Sequence, residues 1–126
     1  MKLRVLIVDD SRDALHLLDR LMAHHDCEIR TCQDSVNAVQ TVQEFIPHVI
    51  FLDIAMPGLD GFEVAEDLHD LNLPNYLLVA LTSHSDEPHR KECEASGFEL
   101  FLSKPVSIED VGHVIQLAKK RFLATI

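Results

Sequence analysis

Along the whole chain, short apolar runs alternate with stretches of helical period. Val5-Leu6-Ile7-Val8 is an apolar run ending in acid. After Ser11 the apolar residues Ala14, Leu17, Leu18, Leu21 and Met22 recur at the spacing of an amphipathic helix. Glu28 to Cys32 reads as a half-polar strand. Ser35 is placed to cap a second helix, with Ala38, Val42, Phe45 and Ile46 on one face and Pro47 closing it. Val49-Ile50-Phe51-Leu52 is a second fully apolar strand, and the turn-rich stretch Met56-Pro57-Gly58-Leu59-Asp60-Gly61 separates it from a third helix with Val64, Leu68 and Leu71 inward. Leu77 to Leu81 is the third fully apolar strand. Pro88 and Gly97 bound a fourth helix. Phe98 to Leu102 predicts the fifth strand, and Ser107-x-x-Asp110 opens a last helix whose apolar face is Val111, Val114, Ile115 and Ala118.

Strict alternation of five strands with five helices predicts an α/β fold: a doubly wound, five-stranded parallel sheet with helices on both faces. The three fully apolar strands suit buried central positions, whereas the second and fifth, with Glu28, Arg30 and Glu99, suit edges; that distribution fits the order 2-1-3-4-5. The fourth predicted helix, from Glu87 to Ser96, has only Cys93 and Ala95 as apolar anchors, so it is expected to be weakly held and able to move.

Size and composition narrow the possibilities. The 126 residues make one domain, 1–126, with enough apolar residues (47%) for a continuous core. The apolar runs are too short to cross a bilayer and the N-terminus has no signal-peptide cleavage pattern, so the expected location is cytoplasmic, with no membrane partner. The net charge of −10 argues against direct contact with nucleic acid. The basic cluster Lys119-Lys120-Arg121 is read as complementing the dipole at a helix C-terminus. Three cysteines, an odd count without a dense framework, fit a reducing compartment. His24-His25-x-Cys27 has no second pair of ligands to complete a structural zinc site and is read as a solvated helix end followed by a buried thiol.

The chemistry gathers where the strands end. In sheets of this type ligands bind beyond the carboxyl ends of the strands. There the first strand ends in Asp9-Asp10, the third in Asp53, the fourth in Leu81-Thr82-Ser83 and the fifth in Ser103-Lys104-Pro105. Each acid alone could simply cap a helix, as Asp10 or Ser11 is placed to do for the first. Together they converge three carboxylates, a hydroxyl and an ammonium on one rim. Such a cluster needs compensating charge, from Lys104 and from a hard divalent cation with oxygen ligands, for which Mg²⁺ is suited. A cation among carboxylates beside a lysine is an arrangement for phosphoryl transfer, with Asp53 able to act as nucleophile and Thr82 to donate to a phosphoryl oxygen.

With these residues in place the sequence resembles the receiver domain of two-component response regulators, over essentially its whole length. The resemblance is carried by Val8-Asp9-Asp10-Ser11, by Leu52-Asp53-Ile54-Ala55-Met56-Pro57-Gly58-Leu59-Asp60-Gly61, by Leu81-Thr82-Ser83 and by Phe101-Leu102-Ser103-Lys104-Pro105, in order. It implies a flavodoxin-like fold of the single-domain chemotaxis-regulator kind. It implies Asp53 as phosphoacceptor; Asp9, Asp10, Asp53 and the Ala55 carbonyl as ligands of Mg²⁺ (or Mn²⁺); Lys104 as the phosphate-pairing lysine, followed by a cis peptide to Pro105; and Thr82 and Phe101 as the switch pair. The implied donor is a phosphohistidine on a sensor histidine kinase or a histidine phosphotransfer protein. The implied output is a downstream protein bound on the face of the fourth helix, fifth strand and fifth helix. The chain would not be an enzyme beyond catalysing its own phosphorylation and dephosphorylation. The resemblance also implies that Ala55 and His84 tune the life of the phosphoryl group; a plain core role for Phe101, and an exposed-loop role for His84, remain open beside the roles it implies.

Other functions of the same topology fit less well. A flavin electron carrier needs a Gly- or Ser/Thr-rich phosphate loop after the first strand, where this chain has Asp9-Asp10-Ser11-Arg12-Asp13. A phosphatase with an aspartate nucleophile usually has a second Asp two residues on, where Ala55 stands. No Gly-rich nucleotide loop is present, and Asp60-Gly61 lacks the preceding ligands of a calcium loop. Within the receiver reading no output domain is expected after the last helix. A stand-alone switch, a phosphorelay intermediate and a fragment of a longer, for example DNA-binding, regulator stay as alternatives.

Overall fold

A computed structural model of the chain describes residues 2–56, 60–83, 91 and 94–123. β1 (Leu3–Val8), β2 (Cys27–Cys32), β3 (Val49–Asp53), β4 (Leu77–Thr82) and β5 (Leu100–Ser103) form one sheet in the order β2-β1-β3-β4-β5. All four pairings are parallel. The described α-helices are α1 (Arg12–Met22), α2 (Ala38–Phe45), α3 (Gly61–His69) and a C-terminal helix (Ile108–Phe122). The fourth helix predicted over 87–96 lies largely outside the described residues. Of that stretch Glu94 and Ala95 are helical, and Gly97, at φ 95°, takes the left-handed conformation that favours glycine after a helix.

Alternation along each strand divides the core in two. Leu6, Val8, Ile50, Leu52, Leu78 and Ala80 face one way and pack with Val42 and Phe45 of α2 and Val64 and Leu68 of α3. Leu3, Val5, Ile7, Val49, Phe51, Leu77, Val79 and Leu81 face the other way, against Leu15, Leu18 and Met22 of α1 and Val111, Val114, Ile115 and Ala118 of the C-terminal helix. β3 and β4 are buried at every position, as strands covered on both faces must be, while β2 alternates and β5 is half-exposed, as edges. Each fully buried Leu, Ile, Val or Phe contributes about 1.5–3 kcal/mol of transfer free energy, and this double layer holds the sheet rigid beneath its carboxyl edge.

The elements depart from the sequence pattern in places. In α1 the buried stripe is Leu15, Leu18 and Met22, while Leu17 is 42% exposed. The five-residue apolar set is wider than the contact with the sheet, so the helix turns Leu17 out to its flank. Asp34, not Ser35, caps the second helical segment: its Oδ1 accepts from the Val36 N–H at 3.0 Å, and a single 3₁₀ turn (Ser35–Asn37) leads into α2. Ile46 falls beyond α2, at φ 50°, and frees its carbonyl for the Arg4 side chain. β5 begins at Leu100, and Phe98, buried at 3% exposure, packs ahead of it. The expected cap of the C-terminal helix is present, with Ser107 Oγ accepting from the Asp110 N–H at 3.1 Å.

Candidate functional site

The strand register builds the site. Val8 pairs with Leu52 and Asp53 with Leu81, so Asp9 and Asp53 leave adjacent strands side by side. Thr82 pairs with Ser103, so Lys104 starts one residue beyond that pairing, two strands from Asp53. Its backbone N–H donates to the Thr82 carbonyl at 2.8 Å, which fixes where the side chain begins. The long lysine stem then carries the ammonium back across the sheet edge, where it lies 2.7 Å from Asp9 Oδ2 and 3.2 Å from Asp53 Oδ2.

Both of these acids are also held from their own turns. Asp9 Oδ1 accepts from the Ser11 N–H at 2.9 Å, and Asp53 Oδ1 from the Ala55 N–H at 3.0 Å. Each carboxylate thus has one oxygen committed to a backbone turn and the other turned toward the lysine. Asp9 is fully buried and Asp53 is 4% exposed, whereas Asp10 faces solvent. One oxygen from each of Asp9, Asp10 and Asp53 lies within 4.8 Å of the other two. Burial raises the Asp9 carboxyl above its ordinary pKa and the nearby Asp53 charge adds to this, against the lowering influence of Lys104 and the Ser11 N–H. Burial alone would depress Lys104, but its contacts with Asp9 and Asp53 outweigh it, and the ammonium is held above its ordinary pKa.

The lysine does not satisfy the pocket. Asp9 Oδ2, wholly buried, has the ammonium close by but, among the described residues, no hydrogen-bond donor aligned on it. An under-satisfied buried carboxylate oxygen within a set of three is a hard, anionic donor set, and it fits a small divalent cation. Among the described residues no other group of three His, Cys, Asp or Glu side chains comes together in this way, and the His24-His25-x-Cys27 stretch forms no such cluster. Beside Lys104 an open cavity of about 330 Å³ is lined chiefly by apolar atoms of Leu17, Leu18, Pro105 and Val106.

Comparison with known proteins gives the family. The family model of the response regulator receiver domain matches residues 5–116. The chain belongs to that family. This receiver is 34% identical over 110 residues to the response regulator PleD of Caulobacter vibrioides, covering 84% of the chain but 24% of that protein. It is 26% identical over 120 residues to the hybrid signal transduction histidine kinase L of Dictyostelium discoideum, covering 90% of the chain and 7% of the kinase. The chain therefore spans about a quarter, or less, of the curated relatives it matches. Among solved structures, the chemotaxis response regulator CheY4 of Vibrio cholerae superposes with a TM-score of 0.83 at 24% identity, covering 94% of this chain and 99% of that one. A two-component response regulator from Clostridium difficile superposes with a TM-score of 0.88 at 19% identity, covering 98% and 100%. At these identities the structures establish the shared fold.

Most residues singled out in the sequence of this receiver meet at the one rim: Asp9, Asp10, Asp53 and Lys104 directly, with the Ala55 N–H on Asp53. Thr82, 6% exposed, closes β4 beside them. Phe101 stands further down β5, half-buried and packed against the core layer under α2 and α3. The Lys104–Pro105 peptide is cis. His84 lies outside the described residues. Two contributors were not anticipated. Gln33, after β2, donates from Nε2 to the Asp10 carbonyl at 3.2 Å. Gly61, expected only as part of a turn, is the first residue of α3 and packs directly beneath Asp53. Asp60 followed three residues later by Glu63 is the signal that could have placed it, since the two form a reciprocal capping box.

Proposed function

We propose that the chain is a phosphorylation-dependent switch in which Asp53 accepts a phosphoryl group from a phosphohistidine of a sensor histidine kinase or histidine phosphotransfer protein. The observation that carries this reading is the lysine bridge: an ammonium within 3.2 Å of both a buried Asp53 and a buried Asp9, in a rim of three carboxylates. Asp53 is the acid at the centre of the sheet edge, with one oxygen pinned by the Ala55 N–H and the other facing Lys104, so its carboxylate is oriented before any donor arrives. A carboxylate oxygen of Asp53 forms the new P–O bond as the P–N bond to the donor imidazole breaks, and the bonding pair returns to the imidazole nitrogen. Lys104 then pairs with the phosphoryl oxygens. Asp9, Asp10 and Asp53, with the Ala55 carbonyl, would hold a Mg²⁺ or Mn²⁺ ion, which when bound neutralises charge on the transferring group. Hydrolysis of the acyl phosphate by water resets the switch, and no other turnover is proposed.

The signal would pass through Thr82 and Phe101. A phosphoryl group adds about −1.5 to −2 charge and strong acceptor oxygens. Thr82 supplies a buried hydroxyl at the end of β4, and its movement would make room for Phe101 to turn inward. The face remodelled in this way includes β5, the C-terminal helix and the segment 87–96, most of which lies outside the described residues. It would bind a downstream protein rather than nucleic acid, in keeping with the net charge of −10. Among the described residues no helix is long and apolar enough to cross a membrane, and a cytoplasmic setting as one receiver domain over 1–126 is part of the proposal.

The test is intact-mass analysis after incubation with Mg²⁺ and acetyl phosphate, beside Asp53→Asn and a metal-free control. A gain of one phosphoryl group in the wild type, lost in both controls, is expected. A gain that survives Asp53→Asn would move the acceptor elsewhere. In the same sample the Phe101 ring resonances should shift on phosphorylation; if they stay in place, the switch pair falls while the acceptor stands.

A further inference from the structure

Gly61 is buried at the start of α3, and the reason it must be glycine is close approach. Its φ is not in the left-handed region, where among the described glycines only Gly97 is found, so its backbone conformation would accept any residue. Space would not. A Cβ built on Gly61 falls 2.5 Å from Ile54 Cα, 2.6 Å from the Asp53 carbonyl oxygen and 3.1 Å from the Ile54 nitrogen. All three are backbone atoms, so no side-chain rotation can relieve the contact; the chain itself must move by at least about half an ångström.

Both sides of this contact are anchored. On one side, α3 is fixed by the Asp60–Glu63 capping box and by buried Val64, Ala65 and Leu68. On the other, the Ile54 N–H donates to the Leu81 carbonyl at 3.2 Å, and the Gly61 N–H donates to the Ile54 carbonyl at 3.2 Å. After Ile54 Cα, the next atom struck on the sheet side is the carbonyl oxygen of Asp53 itself. A methyl group at Gly61 therefore pushes on the residue whose carboxylate must stay aligned with Lys104 and with Asp9.

We infer that Gly61 is a positioning residue for the acceptor: its lack of a side chain lets α3 seat against the Asp53–Ile54 peptide and hold Asp53 in its reactive place. This rests on the reading of Asp53 as phosphoacceptor. A misplacement approaching 1 Å at a reacting group costs up to about a hundredfold in rate. Gly61→Ala is thus expected to lower the phosphorylation rate at saturating Mg²⁺ and acetyl phosphate by about ten- to a hundredfold. It should also weaken Mg²⁺ binding to the unphosphorylated protein, because Asp53 is one of the three clustered acids.

The experiment compares wild type, Gly61→Ala, Gly112→Ala and the double variant. Gly112 lies in the C-terminal helix, and a Cβ there meets nothing within 4 Å. Its replacement should favour the helix and leave the rate unchanged, so it serves both as the control for a glycine-to-alanine change and as a stabilising background. Rates are normalised to the folded fraction from circular dichroism, and Mg²⁺ affinity is measured by calorimetric titration. A tenfold or greater fall in rate together with weaker Mg²⁺ binding, in folded Gly61→Ala or in the double variant, supports the assignment. A folded variant that loses thermal stability but keeps the wild-type rate and Mg²⁺ affinity overturns it, because α3 then absorbs the displacement. Failure of even the double variant to fold also overturns it, by assigning Gly61 to the fold alone. A wild type that takes no phosphate would instead count against the acceptor reading.

Discussion

Replacing Asp10 by Asn should make the metal-free protein more stable. Asp10 faces solvent, yet one of its oxygens lies within 4.8 Å of an oxygen on each of Asp9 and Asp53, and no ion pair of its own appears among the described contacts. At that separation a like-charge pair costs about 0.9 kcal/mol at the dielectric of water and about 3.5 kcal/mol at an effective value of 20. Lys104, paired with the other two acids, offsets about one of the two repulsions, so roughly one remains. Because Asp10 is solvated, the cost belongs near the lower bound, and relief of about 1–2 kcal/mol is expected. For a domain of this length that is a rise in Tm of about 4 °C per kcal/mol. The assay is thermal unfolding followed by circular dichroism in EDTA at low salt, then in 1 M salt, then in Mg²⁺. The gain should shrink in high salt, where the screening length falls to about 3 Å. In Mg²⁺ it should narrow or reverse, because ligand linkage stabilises the wild type more than a variant that binds the ion less well. If Asp10→Asn is no more stable than wild type in EDTA at low salt, the rim is not under electrostatic strain and the reasoning fails.

Two further outcomes concern Lys104 and His48. Lys104→Met should lose about 2 kcal/mol of metal-free stability, through carboxylates left uncompensated, while binding Mg²⁺ more tightly; weaker or unchanged Mg²⁺ affinity by calorimetry would show that the ammonium does not compete for the acid pocket. At the opposite end of the sheet, His48 Nδ1 accepts from the Arg4 N–H at 2.9 Å, and burial, with the Arg4 charge, holds the imidazole below its ordinary pKa of 6.5. The folded state therefore favours neutral His48: its contribution is present above the unfolded pKa and is lost as pH falls from 6.5 toward the lower folded value. His48→Asn, which keeps an acceptor but does not titrate, should show a shallower fall in stability across that window, and equal slopes for the two proteins would remove His48 as the cause.

What the sequence could reveal depended on whether the signal was local. The central strands were legible because full burial on both faces leaves an uninterrupted apolar run, and the acids were legible because they directly follow those runs. The inward face of the last helix was also legible, since its stripe is only as wide as its contact. The stripe of α1 is wider, and only packing against the sheet chose Leu15 over Leu17. The choice of Asp34 over the adjacent Ser35 as cap was open for a similar reason, because both side chains can accept from a nearby N–H. Gly61 was the hardest to read. A glycine required for conformation sits in a recognisable turn, but one required for clearance answers here to the Asp53–Ile54 peptide at the end of a strand, and no local pattern shows that approach.

The charges at the rim argue that phosphorylation cannot leave the surrounding chain where it is. Three carboxylates, one lysine and one divalent cation would be close to electrically balanced. Phosphorylation of Asp53, as proposed, would remove its charge but bring about two negative charges in its place, leaving the rim about one charge in excess, with new acceptor oxygens to satisfy. The backbone N–H groups of Ser11 and Ala55 already donate to Asp9 and Asp53, and Lys104 already serves both acids. Further donors would be drawn in from the strand ends. Thr82 is placed to be one, and its backbone is joined to that of Lys104 by the 2.8 Å hydrogen bond between β4 and the turn after β5. A pull on either residue would be felt by both, so in the proposed switch the excess charge on Asp53 would be converted into a displacement of the β4 and β5 ends, the part of the sheet on which the proposed output face is built.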